Sequence, residues 1–271
     1  MKANKKRSIK GKWSILAFCA LLVLAGLLVG VMVAYNKLRD LYLEQCVITD
    51  VTAQVSINSG KMVKADIVAE EFGLRNGANL GLIDYKKCRE SILKKIPNIR
   101  AISVTRHLPD KVTIVVEERR PVVRVNIVGV KKETVKVADT EGMVFRCQRD
   151  TAMLPVVREV REKATGIGEK LSGRTLAALR LIEAASTGEK LTILEVDVSP
   201  RDYLRATLGD YSQAKISWEG MDQPTESNKK NLLAKLKMLR EAVNSSVGAG
   251  TVVWNATLDD RIFADKKELL P

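Results

Sequence analysis

Residues Ser14 to Ala34 form one unbroken uncharged run, SILAFCALLVLAGLLVGVMVA. At helical rise this run reaches about 30 Å, the thickness of a bilayer's hydrocarbon core. A backbone in lipid must satisfy its own amides and carbonyls, so the run is read as a helix. Trp13 and Tyr35 bracket it as interfacial anchors. No second run of this kind follows, so everything else lies on one side of the membrane or the other. Lys2, Lys5, Lys6, Arg7, Lys10 and Lys12 precede the run without an acid among them, whereas Lys37 and Arg39 are mixed with Asp40 and Glu44. The positive-inside bias then predicts a cytoplasmic N-terminus, with the chain after Tyr35 beyond the membrane. A cleaved signal peptide would have a shorter apolar region ending at an A-x-A-like site, and no such site stands out near Val33 to Asn36. A retained anchor is expected.

The 271 residues are 46% hydrophobic, enough for the anchor and one or two modest globular units. The formal charge of +13 owes six units to the N-terminal tail, a composition that suits anionic headgroups. Nucleic acid is a poorer reading, because phosphate-tracking surfaces interleave cations with aromatics and aromatics here are only 4%. Beyond Cys19 in the apolar run, Cys46, Cys88 and Cys147 have no CxxC spacing and cannot all pair, so they are read as small buried hydrophobes.

After a short charged stalk, Val51, Ala53, Val55 and Ile57 alternate with polar residues as in a half-buried strand, and Asn58-Ser59-Gly60 turns the chain. A helix fits Val63 to Phe72, with Gly73 placed to end it. A connector, GLRNGANLGLID, runs from Gly73 to Asp84, which can cap the helix that carries Tyr85, Cys88, Ile92 and Ile96 on one face. Pro97 stops that helix. Ala101 to Arg106 and Lys111 to Glu117 are read as a strand pair around His107-Leu108-Pro109-Asp110. The order is strand, helix, helix, strand, strand.

Leu80 and Asp84, Pro97 with Ile99, Arg106 with Leu108 and Pro109, and Glu118 with Arg119 and Pro121 follow one another in an order and spacing that resemble the POTRA module of the FtsQ/DivIB cell-division proteins. The hairpin from Val135 to Phe145 around Asp139-Thr140-Glu141-Gly142, and Leu154-Pro155-Val156-Val157, resemble the strand-rich second domain of that family. There, Ser172 and Gly188 bracket a helix as N-cap and C-cap. Strands fit Thr192 to Val198, Leu204 to Leu208 and Ala214 to Trp218, and a last helix spans Lys229 to Val243. Thr251 to Thr257 and Arg261 to Ala264 are read as a closing hairpin; Val253-Trp254-Asn255-Ala256 departs from the family's usual strand there. The expected architecture is α+β: a basic tail (1–12), a transmembrane helix (13–35), a stalk (36–46), a β-α-α-β-β POTRA domain (47–121), a strand-rich mixed α/β domain (122–265) and a short tail (266–271).

Catalytic constellations do not assemble. Ser91-Ile92-Leu93-Lys94 fits S-x-x-K, which a cell-wall acyl enzyme would need, but no credible SDN-like and KTG-like segments accompany it. His107 is the single histidine and has no Cys or His at ligand spacing. Gly166-Ile167-Gly168 lacks the third glycine of a dinucleotide fingerprint, and Glu117 and Glu118 fall on opposite faces of a strand. No catalytic, cofactor or metal residues are expected.

Two recognition features remain. Gly26 and Gly30 make a GxxxG step that lets another helix approach, although small residues are ordinary in membrane helices. A strand-rich domain ending in a hairpin exposes an edge to which an extended segment can add. Arg261, Ile262, Phe263, Ala264 and Trp254 are the expected partner-binding residues, with Ile262 and Phe263 alternatively core. The resemblance implies a non-enzymatic, single-span scaffold of the inner membrane at the division septum, with partners of the FtsB/DivIC and FtsL type and neither nucleic acid nor a small-molecule substrate. The rival readings are a POTRA-bearing transport component, which normally carries a β-barrel with no room here, and the Ser91/Lys94 enzyme.

Overall fold

The computed structural model describes residues 5–107, 109–127, 136–147, 150–160, 164–223, 225–245 and 253–265. The start of the basic tail, the side chain of Trp13, Leu108, Val135, Thr251 and the 266–271 tail lie outside the described residues. The chain is α+β and packs as two compact units. Residues 1–58, 65–88 and 103–115 make the first, and 59–64, 89–102 and 116–271 the second.

The first unit begins with α1 (Lys5–Glu44), one uninterrupted helix that carries the apolar run and the stalk together. Its last turn passes directly into folded chain: Cys46 and Ile48 are buried, and Val47 bridges to Asn79. A single helical turn, α2 (Val51–Gln54), precedes β1 (Val55–Asn58). The alternation from Val51 predicts strand over the whole stretch, but its first half coils. The reason is local. Asp50 accepts the Thr52 N–H (2.9 Å) as an N-cap, and the Gln54 side chain accepts the N–H groups of Thr49 (2.7 Å) and Asp50 (2.9 Å).

Helix α3 (Ala65–Glu71) ends where the sequence places Gly73, at φ +65°. The Leu74 N–H donates to the Ala69 carbonyl and the Gly73 N–H to that of Glu70, both at 2.9 Å, a Schellman closure that needs the left-handed residue. Helix α4 (Tyr85–Lys95) is capped by Asp84, which accepts the Lys87 N–H at 3.0 Å. Strands β2 (Ile99–His107) and β3 (Lys111–Glu118) run through both units and make, with β1, a sheet of order β1-β3-β2 in which β1 and β3 are parallel. The Tyr85 ring lies 6.2 Å from that of Phe72 and beneath the Arg106 guanidinium at 5.5 Å. Burial pushes the Tyr85 hydroxyl up despite that cation, and also raises the thiols of Cys46 and Cys88. All four cysteines are unbridged; Cys46 and Cys147 are buried and Cys88 half-buried.

The second unit holds a nine-stranded sheet built from β4 (Val123–Ile127), β5 (Lys136–Ala138), β6 (Val144–Arg146), β7 (Val156–Glu159), β8 (Ile193–Asp197), β9 (Leu204–Leu208), β10 (Gln213–Ile216), β11 (Val253–Ala256) and β12 (Phe263–Asp265). Their order is β12-β11-β10-β9-β8-β7-β4-β5-β6. Parallel neighbours joined in sequence need a crossover, and both long helices supply one. Helix α5 (Gly173–Ala184) connects parallel β7 and β8, and α6 (Glu226–Asn244) connects parallel β10 and β11. Leu179, Leu181, Leu236 and Leu239 from these helices pack with Val196, Leu204, Leu208, Ile216 and Trp254 in one core. Gly188, expected as the cap of α5, instead lies within a π-helical continuation, Ala185–Glu189, and the left-handed position falls to Lys190 at φ 53°. Arg240 of α6 draws that turn outward, pairing with the Glu189 carboxylate at 3.2 Å and donating to its carbonyl at 3.2 Å.

The Glu-Arg-x-Pro and Asp-x-x-Gly motifs meet in this unit. Glu118 accepts the N–H groups of Met62 (2.7 Å) and Val63 (2.8 Å), an approach possible because Gly60 carries no side chain: a Cβ there would sit 2.2 Å from the carboxylate. Buried Arg119 donates to Asp139 Oδ2 (2.5 Å), Glu141 Oε2 (3.2 Å) and the Pro97 carbonyl (3.1 Å). Asp139 Oδ1 in turn accepts the N–H groups of Glu141 and Met143, closing the turn at Gly142. Arg119 and then Arg100 hold the Glu141 carboxyl below the usual carboxylate range.

Removing one partner strands the other's buried charge, so Arg119→Ala is expected to cost about 3–5 kcal/mol in urea unfolding. Glu141 has a lowered folded pKa, so its stabilisation is full above the unfolded glutamate value of about 4.3 and is lost as pH falls through the folded one. The Arg119→Ala variant should lose part of that acid-side slope, read from unfolding midpoints across the acid range.

Candidate partner-binding edge

The two edges of the nine-stranded sheet are treated differently. Beside β6, the chain from Gly168 to Leu171 lies along the outer side: the Val144 N–H donates to the Glu169 carbonyl (2.9 Å), the Gly168 N–H to that of Val144 (2.8 Å) and the Leu171 N–H to that of Gly142 (2.8 Å). The Gly166-Ile167-Gly168 segment thus leads into the cover of a sheet edge. At the other end, β12 pairs antiparallel with β11 through Val253 and Asp265, Trp254 and Ala264, and Asn255 and Phe263. Among the described residues no strand or bridge pairs with its outer side. An unpaired strand of this kind presents backbone donors and acceptors at sheet spacing, ready for an added strand.

Several contacts hold that edge in place. The turn between β11 and β12 is drawn to α6 by Lys235, whose ammonium is 2.8 Å from Asp259. Sequence reasoning passed over Lys235, yet the signal was there: it falls between Leu232 and Leu236 on the buried face of α6, where a lysine requires an anion. Asn255 closes the end of β11 by accepting the Thr257 N–H (3.2 Å) and hydroxyl (2.8 Å).

The expected contact residues separate into two groups. Phe263 is 49% exposed, and Ala264 and Arg261 are exposed. Ile262 packs partly against the core. Trp254 is only 5% exposed and belongs to the core, so its side chain is not on offer to a partner. Arg261 forms an ion pair with its neighbour Asp260 (2.7 Å), which holds that carboxyl below the usual range; an exposed pair of this kind contributes little to stability. Gly26 and Gly30 on α1 face open space. On α4, Ser91 is half-buried and Lys94 exposed. Among the described residues no three His, Cys, Asp or Glu side chains gather as a metal site would require.

Residues 52–119, from α2 to just past β3, match the POTRA domain family of the FtsQ type. The chain is 24% identical over 150 residues to the cell division protein DivIB of Clostridium acetobutylicum, covering 54% of this chain and 58% of that protein. The chain thus carries a stretch similar to the FtsQ-type POTRA domain. The match spans a little over half the length of that DivIB. Within the POTRA domain, the residues that carried the resemblance have physical work: Leu80 and Ile99 are buried, Asp84 caps α4, Arg106 covers Tyr85, and Glu118 and Arg119 bind backbone and carboxylates as described above.

Among the described residues the Trp254 indole N–H is buried without a hydrogen-bond partner. Its value is therefore bulk, and Trp254→Phe should cost less than about 1.5 kcal/mol while Trp254→Ala costs about 3–5 kcal/mol in equilibrium unfolding.

Proposed function

We propose that this protein is a non-enzymatic, single-span scaffold of the bacterial division machinery, anchored by α1 with its N-terminus in the cytoplasm and its two units outside the inner membrane. The supporting observations are a helix long and apolar enough to cross a bilayer, the FtsQ-type POTRA domain and the likeness to a cell division protein. The observation that carries the binding role is the contrast between the sheet's covered β6 edge and its open β12 edge. A partner segment adds to β12 as a further strand, with main-chain hydrogen bonds giving affinity and Phe263, Ala264 and Arg261 reading its side chains. Partners of the FtsB/DivIC and FtsL type, themselves single-span proteins, are the ones this reading calls for. The role needs no reaction centre: its chemistry is backbone pairing at a fixed place above the membrane.

Proline removes a donor from whichever strand side it occupies. With Phe263→Pro and Ala264→Pro made singly, one of the two interrupts the outward-facing side of β12. That variant is expected to lose partner capture after crosslinking in cells by about tenfold or more, in line with the loss of one or two backbone hydrogen bonds and their strand register. A fluorescent fusion of the parent chain should form a midcell band. Uniform envelope signal, or undiminished capture by both proline variants with the folded signal intact, would count against the scaffold and the edge respectively.

A further inference from the structure

The end of α1 is stitched to the POTRA domain rather than tethered to it. Asn79 Nδ2 donates to the Leu43 carbonyl (2.8 Å), the Leu80 N–H to that of Cys46 (2.8 Å), the Ile48 N–H to that of Ala78 (2.8 Å) and the Gly77 N–H to that of Ile48 (2.8 Å). These are the residues of the Gly73 to Asp84 connector, so that motif works as the socket for the helix end. Gly81 completes the socket, since a Cβ there would stand 2.6 Å from Leu43 Cδ2. Helical side chains lean toward the N-terminus, so a segment packed over the tip of Leu43 lies on the side from which α1 arrives.

That placement has a distance attached. From Ala34, the last residue of the apolar run, to Leu43 is about 14 Å at helical rise, and the headgroup layer on each side of the hydrocarbon is about 5–7 Å deep. The socket therefore stands roughly one and a half turns of helix beyond the headgroups, and a tilted span brings it closer. Next to it, Leu82 is 70% exposed, the most exposed large apolar residue among the described residues of the POTRA match. Lys86 and Lys87 follow in the first turn of α4, both exposed, while the Asp84 carboxylate between them and Leu82 is turned to the Lys87 amide. Exposed Tyr35, Leu38, Leu41 and Tyr42 continue the apolar character of α1 up to the same level.

The geometry points to a membrane-contacting face on the POTRA domain, in which Leu82 enters the interface of the leaflet that α1 leaves and Lys86 and Lys87 bind its anionic headgroups. This rests on α1 spanning the bilayer as proposed above. An apolar tip flanked by two lysines matches an anionic lipid surface in both of its requirements, and the stitched helix end leaves no slack to lift it away. The contact would fix the tilt and rotation of the first unit relative to the leaflet.

The test uses the full chain in vesicles, with a bimane label on Leu82→Cys in a Cys19→Ser, Cys88→Ser background and headgroup-nitroxide lipid as quencher; a second label on Leu28→Cys, with acyl-chain-nitroxide lipid as its quencher, reports insertion of α1. In phosphatidylglycerol vesicles both labels are expected to be quenched, and the signal at position 82 should fall about twofold or more in phosphatidylcholine, at high salt, or with Lys86→Glu and Lys87→Glu combined. Quenching at 28 with none at 82 overturns the membrane face while leaving the span intact. Quenching at neither overturns both. Protection of position 82 by crosslinking to a second copy, without lipid quenching, assigns the surface to self-association and overturns the proposal as well.

Discussion

The buried Arg119–Asp139 pair is the constraint on which the second unit depends. Arg119 reaches from the end of β3 to the carbonyl of Pro97 and the carboxylates of Asp139 and Glu141, while Asp139 shapes the turn that leads into β6. Three chain segments far apart in sequence thus share one guanidinium. A planar fork with five donors serves these three acceptors in one fixed geometry, whereas a lysine would gather its three donors at a single rotating point. A buried ion pair adds little net stability over an apolar substitute of the same shape, so its use here is geometric: it admits only one alignment of the segments that meet on it.

The same logic of satisfied backbone runs through the nine-stranded sheet. Parallel pairs are confined to β4/β7, β7/β8 and β10/β11, and the two consecutive ones are bridged by α5 and α6, whose leucines fill the face they cross. The β6 edge is closed by residues of the same chain. Closing both edges would leave a self-contained sheet with nothing to offer; leaving both open would invite sheet-to-sheet association. Among the described residues the two edges differ: one is lined by chain from Gly168 to Leu171, and the other ends at β12.

Much of this was legible in the sequence because local rules and tertiary packing agreed. The apolar run, the Gly73 stop, the Asp84 cap and the alternating strands from Leu204 onward each satisfy one short-range requirement, and the fold keeps them. Misreadings arose where a side chain outbid the pattern. At Val51 to Gln54 the polar residues that suggested an outward-facing strand surface were engaged in capping, and at Gly188 the helix ran on because Arg240, about fifty residues away, fastens the next turn. The edge itself was foreseeable from the closing hairpin, but the exposure of its residues was not. Trp254 and Phe263 look equivalent as aromatics in a list of strand residues, but the register pairs Phe263 with Asn255, on the face opposite Trp254, and puts it on the outermost strand.

Height and direction follow from how little chain separates the membrane from the first folded residue. A flexible linker of ten residues would let a domain sample a volume tens of ångströms across and would make the position of any binding edge an average. Here those ten residues are helix, and the helix ends in hydrogen bonds to the connector rather than in solvent. The sequence reads as an anchor followed by a stalk and a connector, but within the first unit the end of α1 and the Gly73 to Asp84 connector pack as one piece.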